Sequence, residues 1–167
     1  MSSRHDEIKL FYQRAISVWE GFCQLHNELY DMTCEEYLTL LESDIDKLET
    51  MLTQKEEIIA RIAGIEQERS ELIERINATQ IFKGHISKAS ELLAAFAEIE
   101  AQAALPALKN LNSLLIDIIQ KIQEQNKKNQ QFLNKAMHSL KEVKQGFSGK
   151  KTYTTYGADG MTRALGR

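Results

Sequence analysis

The chain has 167 residues, 43% of them hydrophobic and 27% charged, with eight Gly and one Pro. That balance, rich in Leu, Ile, Glu, Lys, Gln and Ala, belongs to a mainly helical chain of one domain, long enough to bury a core. Net charge is −3, but from Gln145 onward four basic residues (Lys150, Lys151, Arg163, Arg167) meet one acidic residue (Asp159), so an acidic body carries a short basic tail.

This distribution lacks the ordered basic stripe of a nucleic-acid reader, so no nucleic-acid partner is expected. The opening "MSSRHDEIKL" has no apolar run of signal length. No stretch reaches the roughly 18 apolar residues of a membrane span, which argues against membrane insertion. Two cysteines, Cys23 and Cys34, are too few for a disulfide framework. A soluble, cytoplasmic protein is expected, and the sequon "NAT" at 77–79 then carries no meaning.

In chain order, Ile8, Phe11, Ala15, Val18, Phe22, Leu25 and Leu29 recur by threes and fours, predicting a helix over about 5–31 packed lengthwise on a partner. Thr33 and Glu36 have capping-box spacing and predict a new start or a bend. "SDID" at 43–46 is a second candidate start. A helix over about 34–78 follows. Its apolar residues form three adjacent stripes: Leu41, Leu48, Ile62 and Ile76; Met51, Ile58, Ile65 and Leu72; and Leu38, Ile45, Leu52, Ile59 and Ile73. So broad a face suits contact with two other helices. Lys55 and Arg69 fall on seam positions, where snorkelling is the ordinary explanation and a function the other.

Gly84 marks a hinge. A shorter helix is expected over about 86–103, its face formed by Ile86, Leu92, Leu93, Phe96 and Ile99. Pro106 opens or kinks the next helix. That helix, about 106–146, has a seam of Leu111, Leu115, Ile118 and Ile122 that passes through Gln125 and Asn129 before reaching Phe132, Ala136 and Val143. The register does not slip across the polar run Gln123–Gln131. The amides Gln125, Asn126 and Asn129 therefore form either a polar layer that fixes register and partner number or a solvated overhang. Residues 149–167, with four Gly and no period, are expected to be a flexible basic tail. The predicted fold is an all-α, elongated antiparallel bundle or coiled-coil hairpin of three to four helices in one domain, 1–148.

No constellation for chemistry is present. His5, His26, His85 and His138 lie apart, and Cys23 with His26 makes no metal set. There is no glycine-rich phosphate loop and no nucleophile elbow. Neither catalytic residues, nor a cofactor, nor a metal is expected. A binding protein or a self-associating coiled-coil scaffold remains.

Residues 37–73 resemble the second-helix region of FlgN-type flagellar export chaperones, through Leu40 and Leu41, Asp44, Lys55, Ile58 and Ile59, and Arg69. "NKKNQQFL", with Asn126, Asn129, Phe132 and Leu133, resembles the family's N-x-x-N step in its last long helix. "TYGADG", with Thr155, Tyr156, Gly157, Asp159 and Gly160, resembles the family's tail, Ala158 standing where Pro is usual. The resemblance implies a cytoplasmic chaperone that holds hook–filament junction proteins, through an amphipathic C-terminal helical segment, competent for type III secretion. The band Phe132, Leu133, Met137, Leu140, Val143 and Phe147 is suited to that cargo, or alternatively packs on the chain's own first helix. Tyr153, Tyr156, Met161 and Leu165 are candidates to contact the export gate or the cargo. Monomer and homodimer are both open.

Overall fold

A computed structural model describes residues 3–147 together with the backbone of 154–156 and 162–164. The helices are α1 (Arg4–Glu42), α2 (Ile45–Thr79), α3 (Ala89–Ala95), α4 (Ala97–Gln102) and α5 (Ala107–Phe147). Two strands follow, β1 (Thr154–Tyr156) and β2 (Thr162–Ala164). The fold is all-α with long helices in a hairpin, as expected. It divides into two compact units, Met1–Lys127 and Lys128–Arg167, with α5 contributing to both.

In the first unit, Ser3 starts α1. Its hydroxyl accepts from the His5 N–H at 3.2 Å while its own N–H donates to Asp6 Oδ2 at 3.2 Å, a reciprocal cap in which Asp takes the usual Glu position. The expected stop near residue 31 does not occur, and α1 runs on for 39 residues. Thr33 is not a start but a buried helical residue, its hydroxyl donating to the Leu29 carbonyl at 2.7 Å. A threonine that bonds back to its own helix satisfies its hydroxyl without capping anything. The break comes instead at the second candidate. Ser43 adopts a left-handed conformation, φ 57°, and the Asp44 carboxylate accepts from the Lys47 N–H at 3.0 Å.

Two linking residues leave α2 antiparallel to α1, and cross-helix neighbours keep one register along the whole pair. Thr39 meets Met51, Glu36 meets Lys55, Glu28 meets Arg61 and Phe22 meets Arg69. At Gly21 a Cβ would come within 3.2 Å of Ile65 Cδ1, so a side chain there would press on α2.

The core lies toward the start of α1 and the end of α2. Phe11, Ala15, Val18, Trp19 and Phe22 of α1 pack with Leu72 and Ile76 of α2, with Ile81, Ile86, Leu92 and Phe96 of the crossover, and with Leu108 of α5. The expected helix over 86–103 begins later, at Ala89, because its first residues are held extended, and it is two short helices rather than one. The Asn77 amide clasps Ile86, accepting from its N–H at 2.9 Å and donating to its carbonyl at 2.8 Å. The Glu91 carboxylate accepts from Ser87 N–H, Ser87 Oγ and Lys88 N–H, bonds that hold its pKa below the ordinary value, the Ser87 backbone first. Buried Phe96 separates α3 from α4.

Glu100 then governs the entry to α5. One of its oxygens accepts from Tyr12 Oη at 2.9 Å and from the Leu108 N–H at 2.6 Å, so a carboxylate from α4 sits on the open amides of the α5 N-terminus. Burial, and next the Glu100 carboxylate, raise the Tyr12 phenol above its ordinary pKa. Trp19 Nε1 donates to Asn112 Oδ1 at 3.0 Å, tying α5 to α1.

In the second unit α5 continues as one helix to Phe147. Beyond it β1 pairs antiparallel with β2 in the register Thr154↔Ala164, Thr155↔Arg163 and Tyr156↔Thr162. The sequence has no regular period there, although "TYTTY" is rich in residues of high strand propensity.

The Asn77 clasp carries a prediction. Asn77→Ala leaves two backbone groups of Ile86 without their partner and should cost about 2 kcal/mol. Thermal unfolding followed by circular dichroism should fall by about 4–8 °C. An unchanged midpoint would mean that the loop holds itself.

Candidate functional site

The interior of the first unit changes character along α5. Past the main core lies a smaller cluster of Cys23, Ile118 and Ile122, flanked by Leu29, Tyr30, Leu111 and Leu115. Cys23 Sγ donates to the Leu111 carbonyl at 3.4 Å, and burial, followed by nearby Glu20, raises its thiol pKa. Such a thiol is a packing group rather than a nucleophile.

Beyond that cluster the interior turns polar. Lys55 Nζ donates to Glu36 Oε2 at 2.8 Å and to Asn126 Oδ1 at 3.3 Å. One ammonium thereby joins α1, α2 and α5. The two charged side chains are 17% and 16% exposed, well below a surface pair. Thr39, buried nearby, donates to the Glu35 carbonyl at 2.9 Å and to Met51 Sδ at 3.0 Å. Among the described residues no buried side-chain nitrogen or oxygen lacks a hydrogen-bond partner, so this layer is fully satisfied. Spacing alone gives Lys55 no partner, because in the sequence Glu36 fits a capping box with Thr33. Arg69, the other flagged cation, pairs with Glu66 at 2.6 Å and stands 5.8 Å from the centroid of the Phe22 ring.

The three amides singled out from sequence occupy different environments. Asn126 is exposed and engaged by Lys55, Gln125 is half-buried, and Asn129 is buried. Gln125 and Asn129 continue the seam of Ile118 and Ile122 by the same steps of three and four, as expected of an unbroken helix. The seam then reaches Phe132 and Ala136, both half-buried, and Leu140, Val143 and Phe147, all exposed. Exposure along this one face rises from 4% at Ile118 to 68% at Leu140 and 88% at Phe147. Leu133 and Met137 widen the exposed part.

The face therefore changes from a packed seam to an open apolar band without changing register. Lys128, Lys135, Lys141 and Lys144 surround the band against the single acid Glu142, which pairs with His138 at 3.3 Å. Such an amphipathic helix face can receive another helix or extended apolar segment. Of the tail residues singled out, Tyr153, Met161 and Leu165 lie outside the described residues, and Tyr156 ends β1.

Among the described residues no group of three or more His, Cys, Asp or Glu could hold a metal. No helix of the described residues is long and apolar enough to cross a membrane. What the site offers is surface for binding.

The polar layer generates a double-mutant prediction. Lys55→Met strands the Glu36 carboxylate and should destabilise by about 1–2 kcal/mol in urea unfolding, whereas adding Glu36→Leu should recover most or all of that loss. Equal losses from the single and double variants would show that the ion pair is only a surface decoration.

Residues 12–164 match the family model described as "FlgN protein". No curated protein and no solved structure matches the chain. A match over nearly the whole chain, on a fold of long paired helices with an exposed helix face, settles the family: the chain belongs to FlgN, a family of flagellar export chaperones.

Proposed function

We propose that the chain acts in the cytoplasm as a chaperone for hook–filament junction proteins, receiving an amphipathic C-terminal segment of its cargo on the exposed half of α5 and keeping it competent for type III secretion. The observation that carries this reading is the rise in exposure along one unbroken helix face, up to Met137, Leu140, Val143 and Phe147. An apolar helix face in water is stabilised by any partner that covers it, at roughly 1.5–3 kcal/mol for each large side chain fully buried. Ordering of the cargo offsets part of this, which favours a complex tight enough to hold and loose enough to release. Met137, unbranched and polarizable, suits a surface that meets more than one apolar sequence.

Gln125, Asn126 and Asn129 serve this reading as the divide between the packed and the open halves of α5. A polar layer at seam positions weakens packing while keeping register, so the helix continues in phase into its cargo-facing part. The rim of lysines adds a preference for cargo segments that carry acidic residues beside their apolar ones.

Titration calorimetry of the full chain against the C-terminal segment of a junction protein from the same genome tests this. Binding should be one-to-one and micromolar or tighter, with a negative heat-capacity change. Met137→Ser with Leu140→Ser, both more than half exposed, should weaken it about tenfold or more. Undiminished binding by that double variant would remove α5 from the cargo site. Absence of binding together with a stable symmetric oligomer would leave a self-associating helical scaffold.

A further inference from the structure

A second apolar stripe lies on α2. Ile45, Leu52 and Ile59 are seven residues apart, so they stand one above another on one helix face, and all are between 45% and 70% exposed. They are not a frayed edge of the core. The residues just before two of them, Met51 and Ile58, are buried against the interior, and the stripe is the next face outward. At 1.5 Å per residue it is about 21 Å long. Single exposed apolar residues are ordinary on a protein surface, but three in heptad register make half of a helix seam.

The rim of this stripe is acidic. Glu49 and Glu56 follow Ile45 and Leu52 by four residues and so lie directly beside them. Glu42, Asp44, Asp46 and Glu57 are exposed along the same stretch, 42–57, whose one exposed base is Lys47. The other base, Lys55, is half-buried and engaged by Glu36.

We propose that this stripe is a second docking surface, for an amphipathic helix of another protein whose apolar residues recur by sevens and whose flanks are basic. Charge selects this partner. A second copy laying its own α2 stripe here would set carboxylates against carboxylates, which costs association. The basic half of α5 from a second copy is the face given above to cargo. A basic helix from elsewhere meets both requirements, covering the three apolar side chains while its lysines or arginines reach Glu49 and Glu56. The surface belongs wholly to the first unit.

The probe is a synthetic helix of about three heptads with Leu at the seam positions and Lys beside them, and a twin carrying Glu in place of Lys. Fluorescence anisotropy with the full chain should give micromolar binding of the Lys peptide, binding of the Glu twin at least about tenfold weaker, and affinity that falls as salt rises. Leu52→Ser with Ile59→Ser, two exposed positions, should weaken the Lys peptide about tenfold or more, while Met137→Ser with Leu140→Ser should not. Equal binding of the twins, or loss in the α5 variant and not in the α2 variant, would overturn the proposal. Sedimentation provides the remaining contradiction: a dimer of the unmodified chain that Leu52→Ser with Ile59→Ser breaks would make the occupant a second copy.

Discussion

Two helices of 39 and 35 residues joined by only Ser43 and Asp44 can pack in one way, side by side and antiparallel. The rest of the first unit depends on that constraint. With the turn fixed by the left-handed Ser43 and the Asp44 cap, the register along the pair follows. It sets Phe22 and Val18 against the end of α2, where the crossover and the start of α5 complete an apolar core. The same register sets Glu36 opposite Lys55 nearer the turn, where a third partner arrives as Asn126. The apolar and polar parts of the interior are thus two consequences of one turn.

The polar layer has a plain energetic meaning. A satisfied cluster of ion pair, amide and hydroxyls contributes less net stability than the same volume of packed Leu and Ile, but it tolerates water and specifies who pairs with whom. Placed part-way along α5, it comes before the point where the seam opens. Ile118 and Ile122 are buried, Phe132 and Ala136 half-buried, and Leu140 and Phe147 exposed, all on one face. A helix that keeps its apolar pattern after its burial has ended leaves an uncovered apolar face there, the face proposed above to receive cargo.

Much of this was legible as period. The seams of α1 and α5, the continuity of α5 through Gln125 and Asn129, and the antiparallel long helices follow from spacing, because spacing is what a packed helix face requires. Local signals were less dependable where two structures share them. Thr33 with Glu36 has the spacing of a capping box, yet in the fold the threonine bonds back to Leu29 and the glutamate reaches across to Lys55. The true cap at Ser3 was hidden because Asp6 takes the place of the usual Glu. Asn77, in sequence only the first residue of a sequon without meaning here, is the residue that clasps Ile86. Its role depends on a contact nine residues away that no periodicity announces. The Glu100 carboxylate on the α5 N-terminus and the β1–β2 pairing escaped for the same reason.

Hydrogen exchange along α5 tests the central claim most directly, because it reads how firmly each turn of one continuous helix is held. In the free protein, amides from Leu111 to Ile122 should exchange orders of magnitude more slowly than those after Met137, with the change falling across Gln125 to Ala136. Adding the C-terminal segment of a junction protein should slow exchange after Phe132 and leave the earlier turns as they were. Uniform protection from Leu111 to Gln145 in the free chain, or no slowing after Phe132 with cargo present, would contradict the division of this helix into a packed half and a receiving half.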